Sequence, residues 1–174
     1  MGYAGGTKKN PTYHDLGDHA ETIEVDFDPR RVTYDELLEV FWTNHNATRR
    51  PWSRQYASII FVHDDEQARL ARESKERFEA TLGRRVYTEI VPYENFTLAE
   101  DYHQKFRLRG HHDVAAEYLS IYPRLQDFVN STAVTRVNGF LGGCGSCLQL
   151  DADLPKLGLT SGTGSALRSA VCGR

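Results

Sequence analysis

Ala20-Glu21-Thr22-Ile23-Glu24-Val25-Asp26-Phe27-Asp28-Pro29 alternates apolar and polar side chains with period two. Successive side chains of a strand point to opposite faces, so the pattern predicts a half-buried strand that stops at Asp28-Pro29. Just C-terminal to it, Thr33-Tyr34-Asp35-Glu36 is a capping box. In such a box the Thr and Glu side chains satisfy amides that a helix start leaves orphaned. It opens a helix through Leu37, Leu38, Phe41 and Trp42, whose spacing makes one apolar face. Gln55 to His63 is rich in β-branched and aromatic residues and predicts a buried strand. Asp64-Asp65-Glu66 places acids where a helix dipole favours them, at the start of a long helix through Leu70, Ser74, Phe78 and Leu82 that stops at Gly83. Val86 to Val91 predicts a third strand, and Thr97-Leu98-Ala99-Glu100 a second capping box with a helix through Tyr102 and Phe106. The order β-α-β-α-β-α is that of an α/β chain, with helices packed on one or both faces of a small sheet.

Outward from this core the signals weaken. Ala115 to Ser120 and Arg124 to Ser131 predict short helices, and Leu154 to Cys172 ends in a weakly amphipathic one. The stretch from Asn138 to Cys147 is Gly-rich and predicts mobile, irregular chain. The 174 residues are one domain's worth, and the net charge of −3 gives no electrostatic case for nucleic acid or an anionic membrane surface. No apolar run approaches the roughly 18 residues of a membrane span, and no signal peptide is visible, so a cytoplasmic location is expected. All three cysteines fall at positions 144, 147 and 172, an odd count that fits an intracellular thiol set better than a secreted disulfide scaffold. Cys144-Gly145-Ser146-Cys147 has C-x-x-C spacing, which serves a redox pair, half a zinc site or two plain exposed thiols. Zinc would need two more ligands, for which Cys172 and one of His111 or His112 are the candidates, and there is no second C-x-x-C.

Upstream of the first strand runs Met1-Gly2-Tyr3-Ala4-Gly5-Gly6, then Asn10-Pro11-Thr12-Tyr13 and Gly17-Asp18-His19-Ala20-Glu21. Gly and Pro in this density bring polar groups to a pocket by tight turns. Taken alone, Tyr13 and Tyr56 read as core aromatics with satisfied hydroxyls, Glu21 as a solvated strand-start residue, and His45, Trp42 and Trp52 as packing. His19 reads as a loop histidine with a structural hydrogen bond, with a metal or base role as the alternative. His103 reads first as a helix-face residue and second as pocket lining.

The signatures GYAGG, NPTY, DHAE, the VDFDP strand end, the YDELLEVFW helix, QYAS and AEDYHQKF stand in one order over Gly2 to about Phe106. In that order they resemble the peptide methionine sulfoxide reductase A family. The resemblance implies a ferredoxin-like α+β two-layer sandwich, with a catalytic domain over residues 1–135 and a Gly/Cys-containing tail over 136–174. It implies reduction of methionine-S-sulfoxide in proteins, with thioredoxin or another dithiol as electron donor and no further cofactor or metal. By residue-by-residue carry-over, Glu21 is the proton donor, Tyr13 and Tyr56 bind the sulfoxide oxygen, and Tyr3 and His103 line the pocket. Cys144 and Cys147 are candidate resolving thiols. The chemistry agrees, because a weakly basic oxygen must be polarised and protonated while a thiolate attacks sulfur. Two departures stand out. Pro51 occupies a place where the family commonly has Asp, and the nucleophilic Gly-Cys-Phe-Trp motif is absent. The expectation is a chain lacking the family's first strand and helix, inactive by itself and marginally stable for want of a central ladder. A non-catalytic methionine- or sulfoxide-binding module and a thiol oxidoreductase using Cys144 and Cys147 are the alternatives.

Overall fold

The computed structural model describes residues 1–173, which form two compact units, Met1–Glu100 and the chain from Asp101 onward. The first unit combines small sheets with two helices. Strand β1 (Gly2–Ala4) lies between β2 (Ala20–Thr22) and β5 (Phe96–Leu98), antiparallel to both. Strand β3 (Ile59–Val62), helix α2 (Asp65–Leu82) and strand β4 (Glu89–Pro92) form a parallel β-α-β unit, the connection that a parallel pair requires. Helix α1 (Tyr34–Thr43) starts on the expected capping box, with the Thr33 amide donating to Glu36 at 2.6 Å and the Glu36 amide to Thr33 Oγ1 at 3.2 Å.

Leu38 and Trp42 of α1 are buried with Ile60, Val62, Ala68, Ala71 and Val86 in one cluster. Trp42 stacks on Phe78 with ring centroids 5.3 Å apart, and its indole N–H donates to Ser74 Oγ at 3.0 Å. That bond satisfies a donor with no route to water, which explains a polar residue on the inner face of α2. A smaller cluster gathers Tyr3, Leu16 and Ala99, with Tyr13 against it.

The expected strand over residues 20–28 is hydrogen-bonded into a ladder only over Ala20–Thr22. Its partner β1 is three residues long, so residues 23–28 run past the end of the ladder. The strand expected from Gln55 is preceded by a 3-10 turn at Arg54–Tyr56, and the third strand starts at Glu89 rather than Val86. The helix expected from Thr97 does not form there. Thr97 instead sits in β5 opposite Tyr3, and the Glu100 carboxylate is taken by residues far away in sequence. The chain coils only later, in a 3-10 turn at Asp101–His103 and helix α3 (Phe106–Arg109).

The second unit is helical among its described residues: α3, α4 (His112–Ile121), α5 (Leu125–Asn130), α6 (Thr132–Leu141), α7 (Cys147–Asp153) and α8 (Ser161–Cys172). Residues 136–173 are part of this unit together with 101–135. The Gly-rich stretch from Asn138 is more regular than expected, because α6 continues through Leu141. Val134, Val137, Phe140 and Leu141 are buried with Tyr118, Phe128, Leu150 and Leu167. Burying such side chains, at roughly 1.5–3 kcal/mol each, outweighs the roughly 1 kcal/mol that a helical glycine costs. Beyond α6, the Cys144 amide donates to Gly139 O at 2.9 Å, and Ser146 with Gln149 caps α7. The Tyr118 hydroxyl donates to Leu157 O at 2.9 Å within the same core.

Two measurements test this architecture. Ser74→Ala leaves the buried Trp42 N–H without its acceptor and should lower stability by about 1–3 kcal/mol in urea unfolding; no change would mean that the bond contributes nothing. The second concerns the turn between β1 and β2. There Asp18 accepts from the amides of Thr7 at 2.8 Å and Lys8 at 3.1 Å, and from the Thr7 hydroxyl at 2.9 Å. The backbone bonds to Thr7 and Lys8, then the Thr7 hydroxyl, pull its carboxyl down to about 2. A lowered value stabilises the fold above the ordinary carboxylate range, and this contribution is lost as pH falls toward about 2. Carboxyl carbon NMR should show Asp18 titrating near about 2, with the Thr7 and Lys8 amide shifts following; a midpoint near the unperturbed value of about 3.9 would show the turn open.

Candidate functional site

The loop between β1 and β2 carries Tyr13, and its shape follows from steric limits and polar ties. Gly5 has φ +73°, in the left-handed region, and a Cβ there would lie 2.6 Å from the Phe61 ring. At Gly6 a Cβ would lie 2.6 Å from the His19 ring, so the chain passes that imidazole as only glycine can. His19 is 2% exposed. Its Nδ1 accepts from the Gly6 amide at 3.2 Å, so its Nε2 carries the hydrogen that is donated to Lys8 O at 2.9 Å. This is the structural role expected for it. Lys8 also pairs with Asp15.

Glu100 fixes the other end of the loop. One of its oxygens accepts from the Tyr3 hydroxyl at 2.6 Å and the other from the Tyr13 amide at 3.0 Å. Tyr3 is fully buried in the core, and its hydroxyl is spent on this bond. Tyr13 is half-buried.

Glu21 and Tyr56 reach the same place from two other elements. Glu21 is the middle residue of β2, directly across from Tyr3. The 3-10 turn Arg54–Tyr56 is tied to it through Gln55, whose Nε2 donates to Glu21 Oε1 at 2.7 Å. Tyr56, the last residue of that turn, shares a side-chain hydrogen bond with Tyr13. That bond, then partial burial, then the nearby Tyr13 and Glu21 charges push the Tyr56 phenol above its ordinary value. Tyr13, Glu21 and Tyr56 are therefore brought together. Exposed Trp52 lies against Tyr56 with ring centroids 5.0 Å apart.

Glu21 and Tyr56 line a groove of about 690 Å³ whose apolar walls include Ala20, Phe41, Ile59 and Phe61. His45 lines it too, with its Nε2 2.8 Å from Ser58 Oγ, which in turn lies 2.8 Å from Thr88 Oγ1. Phenol O–H groups and a carboxyl at an apolar groove suit a neutral ligand that bears one strongly accepting oxygen. Among the described residues no group of three or more His, Cys, Asp or Glu converges to hold a metal ion. No helix among them is long and apolar enough to cross a membrane.

The remaining candidates belong to the second unit. His103 ends a 3-10 turn with its ring centroid 4.2 Å from that of Tyr102. The C-x-x-C spacing does not yield a Cys144–Cys147 disulfide. Cys147 is bonded to Cys172 instead, and Cys144 is an exposed free thiol. The packing of α8 against α7 sets the last residue of one helix beside the first of the other, with a Cα–Cα distance of 5.6 Å, within the range that a disulfide spans. Two residues that position the site had not been singled out from the sequence, Gln55 and Glu100. Gln55 adjoins Tyr56, a cue that was available. Glu100 had no local cue, because its partners lie 87 and 97 positions away.

A family profile described as peptide methionine sulfoxide reductase fits residues 1–136. A peptide methionine sulfoxide reductase of Drosophila melanogaster is 44% identical over 162 residues, covering 92% of this chain and 65% of that protein. Peptide methionine sulfoxide reductase A5 of Arabidopsis thaliana is 46% identical over 116 residues, 63% of this chain and 46% of its own length. The chain thus spans less than two thirds of either relative. The MsrA protein of Sulfolobus acidocaldarius is 39% identical over 139 residues, 75% of this chain and 78% of its own. The crystal structure of Mxr1 from Saccharomyces cerevisiae in reduced form superposes with a TM-score of 0.56 at 28% identity, over 71% of this chain and 70% of that one. By the profile, the identities and the superposition, the chain belongs to the peptide methionine sulfoxide reductase family, oxidoreductases of mixed α/β fold.

Proposed function

We propose that this chain serves in the reduction of methionine-S-sulfoxide in proteins, and that its first unit supplies the oxygen-binding and proton-donating part of the reaction. The observation that supports this is the Tyr13–Tyr56 hydrogen bond beside Glu21 at the groove. A sulfoxide oxygen entering there exchanges that phenol–phenol bond for bonds from the phenols to itself. The raised Tyr56 value keeps this O–H neutral and able to donate across the physiological range.

In the proposed reaction a thiolate attacks sulfur and forms an S–S bond while the S–O bond breaks. Glu21 donates a proton to the departing oxygen, which takes a second proton from solvent and leaves as water. A water then attacks the sulfur of the former thiol, the S–S bond breaks with the methionine thioether as leaving group, and a sulfenic acid remains. A second thiol condenses with the sulfenic acid, so that one water is released net and a disulfide is left, which a dithiol such as thioredoxin reduces. Residues 1–143 contain no cysteine, so the first unit polarises the oxygen for a thiolate that it does not itself carry. Cys144 and Cys147 are our candidates for the resolving thiols, and the Cys147–Cys172 bond is the oxidised form that a dithiol would open.

Three experiments test the proposal. Binding of a methionine-S-sulfoxide peptide, followed by NMR, should weaken about ten-fold in Tyr56→Phe, the loss of roughly one hydrogen bond; no binding at millimolar peptide would remove the assignment. Dithiothreitol-driven turnover by this chain should be undetectable. Turnover abolished by Cys144→Ser would instead make that thiol the nucleophile. Finally, ultraviolet titration should show Tyr56 ionising at lower pH in Tyr13→Phe, because the first cause of its upward shift is gone.

A further inference from the structure

We propose that the loops leading into β3 and β4 form a docking surface for an acidic segment of a partner polypeptide. Two segments of similar composition meet there. Arg49-Arg50-Pro51-Trp52 lies on the connection from α1 to β3, and Arg84-Arg85-Val86-Tyr87 on the connection from α2 to β4. The Tyr87 amide donates to Ala47 O at 2.8 Å and ties the two together. Arg49 and Arg85 stand two positions from this bond, Arg50 and Arg84 three. Two residues span at most about 7 Å of chain and three about 11 Å, so four guanidinium groups are gathered around one point. All four residues are exposed, and none of their side chains has an ion pair or hydrogen bond among the described residues. By contrast, Arg54, Arg69 and Arg77 of the same unit are spent on Glu89, on Glu66 and Glu73, and on Asp35.

The chemistry of these groups specifies the occupant. A guanidinium presents a fork that matches a carboxylate with two parallel bonds, and it is weakly hydrated, so an unpaired one is available to a partner. The neighbouring carboxylates are engaged elsewhere, Glu89 with Arg54 and Glu79 with the Val86 amide at 2.7 Å. Arg84 also lines a hollow of about 620 Å³ with Asn44, Asn46 and Thr48, and its described lining contains no Asp or Glu. The carbonyl end of α1 beside it would repel an anion, but side chains cover it. Thr43 Oγ1 donates to Glu39 O and Asn44 Nδ2 to Val40 O, both at 2.8 Å, and His45 Nδ1 to Phe41 O at 2.7 Å. Trp52 is 76% exposed and Tyr87 42%. Arg, Trp and Tyr are the residues that dominate binding energy at protein interfaces, and all three occur on these two segments. A nucleic acid is the poorer fit. The net charge of −3 sets the rest of the surface against a long polyanion, whereas a few carboxylates stay within reach of the four arginines. Neither these arginines nor Trp52 and Tyr87 line the groove, and this inference does not depend on the sulfoxide proposal.

The probe is a short capped peptide that alternates glutamate and glycine. Titration followed by NMR should show saturable binding, with shifts centred on Arg49, Arg50, Arg84 and Arg85 and on the Trp52 indole. The same peptide with lysine or glutamine in place of glutamate should not bind. Raising ionic strength from about 0.01 M to about 0.15 M shortens the screening length from about 30 Å to about 8 Å, and it should weaken binding at least about ten-fold. Arg50→Ser combined with Arg84→Ser should cost a similar factor. Arg31→Ser combined with Arg72→Ser removes the same charge from exposed positions elsewhere and should leave binding unchanged. Equal loss in the two double variants, equal binding of the lysine peptide, or shifts centred elsewhere would overturn the proposal. So would an oligothymidylate that binds as tightly, which would make this a nucleic-acid surface. Self-association that displaces the peptide would also overturn it, because the occupant would then be a second copy. Should the Arg50 and Arg84 double variant fail to fold, the lysine and glutamine peptides and the shift map still decide the outcome.

Discussion

One carboxylate holds the first unit's loop to its sheet. Glu100 accepts from the Tyr3 hydroxyl at the centre of β1 and from the Tyr13 amide in the loop that follows. Strand β1 has only three residues, too few for a ladder to define the path of the loop beyond it. The Glu100 bridge supplies that definition, and it does so with charge-assisted bonds in a partly buried setting, where they are stronger than neutral ones. Beside it, the Tyr13 ring is placed by its contact with the Tyr3, Leu16 and Ala99 cluster and by the bond that it shares with Tyr56. The Gln55–Glu21 bond is the matching tie on the other side, joining the Tyr56 turn to β2. Tyr13, Glu21 and Tyr56 thus come from separate pieces of chain, which the bonds of Glu100 and Gln55 tie in place. This is the support that a preorganised site requires.

The elements most legible in the sequence were those with local causes. The Thr33–Glu36 capping box, the apolar face containing Leu38 and Trp42, the acidic start of α2 and its stop at Gly83 all rest on residues within a few positions of one another. What was misread depends on distant partners. Residues 23–28 carry the pattern of a strand, but a ladder needs a neighbour, and β1 ends too soon to be one. Thr97 and Glu100 carry the spacing of a capping box, yet pairing with β1 and bonding to Tyr3 and Tyr13 claimed them first. The Gly-rich end of α6 was read from propensity, whereas burial of Val137, Phe140 and Leu141 decided it. At the site, Tyr13, Glu21 and Tyr56 were named through motif order, and the structure brings them together; Glu100 could not be found by any local rule.

The first unit also shows why neighbouring parts of one chain can be uneven in order. The β3-α2-β4 unit is closed by a helix whose Ala68, Ala71 and Ser74 are buried, and it carries the larger apolar cluster of this unit. The β2-β1-β5 sheet has strands of three residues and leans on side-chain bonds for its loop. Opening free energies vary across a structure with such differences in burial. Tyr13 and Glu21 belong to the part with the smaller apolar cluster, where small movements cost least.

The Cys147–Cys172 bond closes a loop of 25 positions that runs from the first residue of α7 to the last of α8. Closing a loop of that size removes on the order of 3 kcal/mol of chain entropy from the unfolded second unit. The permanence of the C-terminal helix is thereby coupled to the thiol potential of its surroundings. In a reducing milieu α8 is held by Leu167 and its other packing alone, and in an oxidising one it is held covalently as well. The bond forms by giving up two electrons and also acts as a latch on the last helix, so the resistance of the C-terminus to proteolysis rises as the electron inventory of the protein falls.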